Sequence, residues 1–223
     1  MEWASNRKSA VAMLTESEDG DRFGVQLNWG QWLNDHWRYN LGFDSQAPIP
    51  LQAIHKGNEG KSYTAGLNWQ QNESRKAGFQ YQFTDIDDGN DRQELGAFFK
   101  QRIQQSPHHI TNATLSGYYG KNKKVDVPYF NPENNSSVDL KLDHEWITWR
   151  NYDKNFTQYF EASIGSFSQK DFSSRAVYNL FYAHNWQLSR TWKLNYGIGW
   201  GVHPYDGEDE RKTYGVFGFE GVF

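Results

Sequence analysis

No cysteine occurs in the 223 residues, which excludes a disulfide framework, a thiol nucleophile and a thiolate metal site. No run approaches the roughly 18 consecutive apolar residues of a transmembrane helix, so a helical membrane protein is excluded too. Basic charge is not in excess: 23 Lys and Arg stand against 27 Asp and Glu, a net charge of −4, and no basic cluster is interleaved with aromatics. Nucleic acid is therefore not an expected partner. Also missing are G-x-S-x-G, H-E-x-x-H and any paired-histidine metal spacing, so neither an enzyme nor a metal or other cofactor is expected. Asp85, Asp87, Asp88 and Asp91 lack the spacing of an EF-hand and read as a solvated turn around Gly89. No charged n-region and apolar h-region follow Met1-Glu2-Trp3, so any export signal lies outside these residues.

Hydrophobic residues make up only 37% of the chain, yet aromatics alone reach 17%, a profile that suits a thin apolar shell better than a packed globule. Alternation is what organises them. In FGVQLNWGQWLNDHWRYNLGF, Phe23, Val25, Leu27 and Trp29 share one parity, and after Leu33-Asn34-Asp35 the pattern resumes with Trp37, Tyr39, Leu41 and Phe43. This is a β-hairpin. The same period predicts twelve strands, at 5–15, 22–30, 36–45, 61–71, 75–84, 92–103, 109–120, 138–149, 156–168, 175–187, 191–203 and 213–223. Short connectors (Gln31–Asp35, Asn72–Ser74, Gln104–His108, Arg150–Asn155, Leu188–Arg190) alternate with mostly longer, more polar ones (Glu16–Asp21, Gln46–Gly60, Asp85–Asp91, Lys121–Ser137, Gln169–Ser174, Pro204–Lys212). Strands of about ten residues with loops segregated by end predict an all-β, antiparallel up-and-down transmembrane β-barrel, one domain over residues 1–223 in the bacterial outer membrane. Parity leaves the face of the first strand open, because Ser9, Val11 and Met13 alternate with Ala10, Ala12 and Leu14.

Trp29, Trp37, Trp69, Trp146, Trp186 and Trp192 lie on the apolar parity beside short turns and are expected to form an interfacial girdle against membrane lipid. The opposite parity carries Asn, Gln, Gly, Ser and Thr, together with the acids Asp44, Glu94, Asp139, Asp143, Glu145, Glu161 and Glu220 and the bases Arg38, Lys100, Arg102, Lys141 and Lys193. Those acids either form a track that attracts cations or pair with Lys141, Arg102 and Lys193 and stiffen the wall. Phe98, Tyr118, Tyr159, Phe167, Phe181 and Tyr214 also point inward, either as sliding surfaces for sugar rings or as filler beneath a folded loop. Phe223 ends the last strand as the terminal Phe that the outer-membrane assembly machinery reads. Outward His144 and His184 invite comparison with outer-membrane phospholipase, but only Ser166 offers an outward serine.

NDHWRYNLGFDSQ, IPLQA, NESR, DDGNDR and VPYFNPENN, in that order, resemble the barrel of the PgaA family, outer-membrane exporters of poly-β-1,6-N-acetyl-glucosamine, over residues 21–223. The resemblance implies passage of a partly de-N-acetylated, hence partly cationic, polymer through an acidic lumen, with Asp139, Asp143, Glu145 and Glu161 the matching positions. It also implies an exit loop, Tyr129, Phe130, Asn131 and Pro132, that covers or gates the pore. The family barrel has sixteen strands and a periplasmic tetratricopeptide-repeat region. Against that, twelve strands are either the C-terminal three-quarters of such a barrel or a shortened, re-engineered one; because an open sheet leaves two unpaired edges, the expectation is a barrel closed on itself, with a narrower lumen, acting as a monomeric, passive channel that prefers cations. A plugged structural anchor is the alternative.

Overall fold

The computed structural model describes residues 2–4, 7–16 and 23–221, with side chains for 7–14 and 23–221. Thirteen strands follow one another: β1 Glu2–Ala4, β2 Lys8–Glu16, β3 Phe23–Trp32, β4 Trp37–Asp44, β5 Gly60–Asn72, β6 Arg75–Ile86, β7 Asn90–Gln105, β8 His109–Asn122, β9 Asn134–Asn151, β10 Lys154–Gln169, β11 Arg175–Gln187, β12 Trp192–Tyr205 and β13 Glu208–Gly221. Each is hydrogen-bonded to the next in one up-and-down sheet. Twelve are the expected strands. The added one, β1, is a three-residue segment opposite Ser9–Val11. The chain divides into two compact units, Met1–Phe98 with Gly117–Ser136 and Phe99–Ser116 with Ser137–Phe223.

In the first unit the register fixes the face that sequence parity left open. Ala10, Ala12 and Leu14 stand opposite Trp29, Leu27 and Val25, whereas Ser9, Val11 and Met13 stand opposite Gly30, Asn28 and Gln26. The Ala/Leu parity of β2 is therefore on the apolar face, and Leu14 is 85% exposed there. The β4–β5 connector contains a single helical turn, α1 Leu51–Ile54, entered at Pro50 and holding Ala53 fully buried. Pro50 caps the turn with its carbonyl, which accepts the Ala53 amide at 2.8 Å and the Ile54 amide at 3.2 Å.

In the second unit β10 to β13 form a continuous antiparallel ladder. Its last hairpin corrects the expected long connector Pro204–Lys212: β12 and β13 continue to Tyr205 and Glu208, leaving a two-residue turn. Asp206 (φ 48°) and Gly207 (φ 81°) both adopt positive φ, the backbone that an Asp-Gly hairpin turn requires. The expected connector Asp85–Asp91 likewise shrinks to residues 87–89, closed at Gly89 (φ 84°).

Burial runs opposite to that of a water-soluble domain. Among the described residues the buried hydrophobic side chains are Ala47, Ala53, Ile86, Tyr129, Phe167 and Ala183, while Leu27, Leu41, Ile164, Leu180, Ile198 and Phe217 are exposed. So wide an apolar surface needs a non-aqueous partner.

Candidate functional site

The polar face of the first unit is a lattice of short polar side chains and glycines: Asn28 opposite Gly42, Gly42 opposite Thr64, Asn40 opposite Gly66 and Asn68 opposite Gly78. Each glycine makes room for a neighbour, and a Cβ at Gly78 would run into the Phe98 ring. Asp44 is spent locally, its Oδ1 accepting the Gln46 amide at 2.8 Å. Glu94 accepts from Arg92 at 2.8 Å and from the Tyr118 hydroxyl at 2.7 Å. Arg92 is a further base on this face, beyond those expected from the sequence, and its parity matches that of Glu94.

In the second unit the acids divide. Asp143, 4% exposed, accepts from Asn112 at 2.6 Å and lies 3.4 Å from Lys100. Glu161 pairs with Lys141 at 3.3 Å and accepts the Tyr159 hydroxyl at 2.8 Å, and Glu220 pairs with Lys193 at 3.4 Å. Asp139 and Glu145, both half-buried on β9, have no hydrogen bond or ion pair among the described residues. The Asp139 carboxylate lies across β10 where Gly165 offers no side chain. Pairing thus neutralises Glu94, Asp143, Glu161 and Glu220 and leaves these two carboxylates in the second unit, with Asp44 of the first unit bonded to neutral amides. Tyr159, Phe181 and Tyr214 lie together on this face, with ring centroids 6.2 Å and 6.0 Å apart.

The apolar face carries aromatics where the tryptophans were expected. Trp37 stands opposite Trp69 at 6.5 Å, Trp186 stacks on Phe156 at 4.1 Å, Trp192 on Phe219 at 5.0 Å and Trp146 on His109 at 5.7 Å. Trp29 stands opposite Leu41, further from the turn than Trp37. Polar groups on the same face of the second unit satisfy one another. The Tyr196 hydroxyl donates to His184 Nδ1 (2.9 Å), His184 Nε2 donates to the Tyr182 oxygen (2.6 Å), Tyr182 donates to Gln158 (2.6 Å), and Gln158 donates to Thr148 (2.9 Å). The tautomer follows from the Tyr182 proton being committed to Gln158.

The loop expected to cover the exit is fastened rather than free. Asn90, fully buried, donates to the Tyr129 hydroxyl (3.3 Å) and to Asn131 (3.1 Å) and accepts the Lys124 amide (2.9 Å), while Tyr129 donates to Asp88 at 2.8 Å. Asn122 donates to the Pro132 carbonyl at 2.7 Å. Phe130 is half-buried. Burial and Asp88 push the Tyr129 hydroxyl up to about 12. The fastening residue, Asn90, passed for part of a solvated turn because its partners lie 34–41 positions away. Phe223 lies outside the described residues.

An antiparallel up-and-down sheet with one lipid-compatible face and one polar face is the architecture of a transmembrane β-barrel, although the expected closure of the sheet on itself is not seen among the described residues, whose strand order runs from β1 to β13. The chain belongs to the family of the PgaA membrane β-barrel domain, whose model matches residues 1–220, and its place is the bacterial outer membrane. It is 31% identical over 195 residues, 87% of its length, to the poly-β-1,6-N-acetyl-D-glucosamine export protein of Escherichia coli K12 and to that of Escherichia coli O157:H7. The chain spans only 24% of those relatives. A solved structure, described as a bacterial polysaccharide outer membrane secretin, superposes with a TM-score of 0.91 at 29% identity, covering 100% of this chain and 78% of that one.

Proposed function

We propose that the polar face lines a passive, cation-preferring passage for a partly de-N-acetylated poly-β-1,6-N-acetyl-glucosamine. The relatives' export role and the polar, glycine-spaced inner face support this reading. The observation that carries it is the pair Asp139 and Glu145, carboxylates without an ion-pair partner among the described residues, which leaves negative potential for an ammonium-bearing polymer. Planar-bilayer reversal potentials in a salt gradient test it. The wild-type chain prefers cations, and Asp139→Asn with Glu145→Gln lowers that preference; unchanged selectivity refutes the role given to the two acids.

The plugged anchor is favoured by one observation, the tight fastening of the Tyr129 loop, and would leave the bilayer silent. A phospholipase-like dyad has no geometric support. His184 stands opposite Gln158, and Ser166, further along β10, is about 26 Å from that position at a strand's usual rise. The His144 ring nitrogens meet Thr111 (2.8 Å) and His109 (3.2 Å).

A further inference from the structure

Glu161, Phe181, Gly199 and Tyr214 form one transverse line across four successive strands. Glu161 is the register partner of Phe181, Phe181 that of Gly199, and Gly199 that of Tyr214. A Cβ at Gly199 would collide with the Tyr214 ring, and one at Gly197 would come within 2.9 Å of Phe181 Cζ. Both rings therefore lie over the bare backbone of β12, and their planes are within 8° of each other. The two rings are only half-buried, so the sheet covers one side and leaves surface open on the other. Phe181 sits at the middle of β11.

The margin of this pavement is polar. The Glu161 carboxylate, which Lys141 and Tyr159 already contact, receives a further hydrogen bond from Asn179 at 3.4 Å, and the Tyr214 hydroxyl donates to Asn179 at 3.4 Å. A β-linked glucosamine ring holds its substituents equatorial, so each face presents only C–H groups. Those positively polarised hydrogens match the negative face of an aromatic ring, while the equatorial amine or amide at the ring edge meets carboxylate and amide.

We infer that Phe181 and Tyr214, laid on Gly197 and Gly199, form a stacking subsite for one pyranose ring of a β-linked amino-sugar chain, with Glu161 and Asn179 reading its polar edge. This rests on the polymer-passage reading and names the place where the polymer is held. The test is binding of a β-1,6-linked glucosamine oligosaccharide to the whole chain folded in lipid nanodiscs, followed by calorimetry. Phe181→Leu keeps the bulk and removes the π face; it weakens binding about fivefold, with folding checked by heat-modifiable gel mobility. Tyr214→Phe, which keeps the ring, loses less than Phe181→Leu. Wild-type binding that Phe181→Leu leaves unchanged overturns the subsite and leaves the passage standing. Absence of wild-type binding overturns the passage reading and the subsite with it.

Discussion

Replacing Asn90 with Ala removes the fastening of the outer loop at its buried centre. The Asn90 side chain makes three hydrogen bonds, two given to Tyr129 and Asn131 and one taken from the Lys124 amide, at a position with no solvent exposure. At about 1 kcal/mol net each, their loss lowers the free energy of local opening by about 3 kcal/mol. Water entering the smaller side chain's space offsets part of it, so the expected range is about 2–3 kcal/mol. Amide exchange under conditions where closing outpaces chemical exchange reads this as an equilibrium: the Lys124 amide exchanges roughly 30–150 times faster in Asn90→Ala. Amides in the centre of β6 keep their wild-type rates, since the ladder with β5 is untouched. Equal Lys124 exchange in the two proteins refutes the fastening.

Three other outcomes are expected. The Tyr129 hydroxyl is raised to about 12 from its ordinary value near 10, so the folded loop holds its proton more tightly than the unfolded one. Loop stability is therefore full below pH 10 and is lost as pH rises through about 12; proteolysis across residues 123–133 rises in that window and not in Tyr129→Phe. Ile164→Arg, on the apolar face, destabilises the barrel in lipid vesicles by about 2–4 kcal/mol, whereas Ser163→Arg next to it costs much less; urea titrations with equal losses would refute the face assignment. On β2, Ala12→Arg is costly and Val11→Arg is not, and the reverse order would refute the register with β3.

Period-2 alternation made most of the strands readable, because one face of every strand has to be apolar and the signal repeats along the chain. It failed at β2, where Ala10, Val11, Ala12 and Met13 are all apolar and only pairing with β3 decides. Strand ends are read short because alternation fades once both faces leave the bilayer: the residues 208–212 are charged without a period, yet they pair with Gly201–Tyr205. The signal that would have found this hairpin, Asp206-Gly207, was in plain view. The parity of each acid expected in the lumen is legible, but its partner is not. Lys100 reaches Asp143 from 43 positions away, and Arg92, two positions from Glu94 on the same face, was overlooked. The expected exit loop is legible as a long polar connector and through the family resemblance of VPYFNPENN, whereas its attachment depends on Asn90, a residue type equally at home in a solvated turn.

Single-channel recording of the folded chain, before and after adding a β-1,6-linked glucosamine oligosaccharide, addresses the central claim most directly. A polymer passage gives steady, cation-selective steps that the oligosaccharide interrupts with brief blockades. A silent bilayer, or steps indifferent to the sugar and to the sign of the ion, would contradict it.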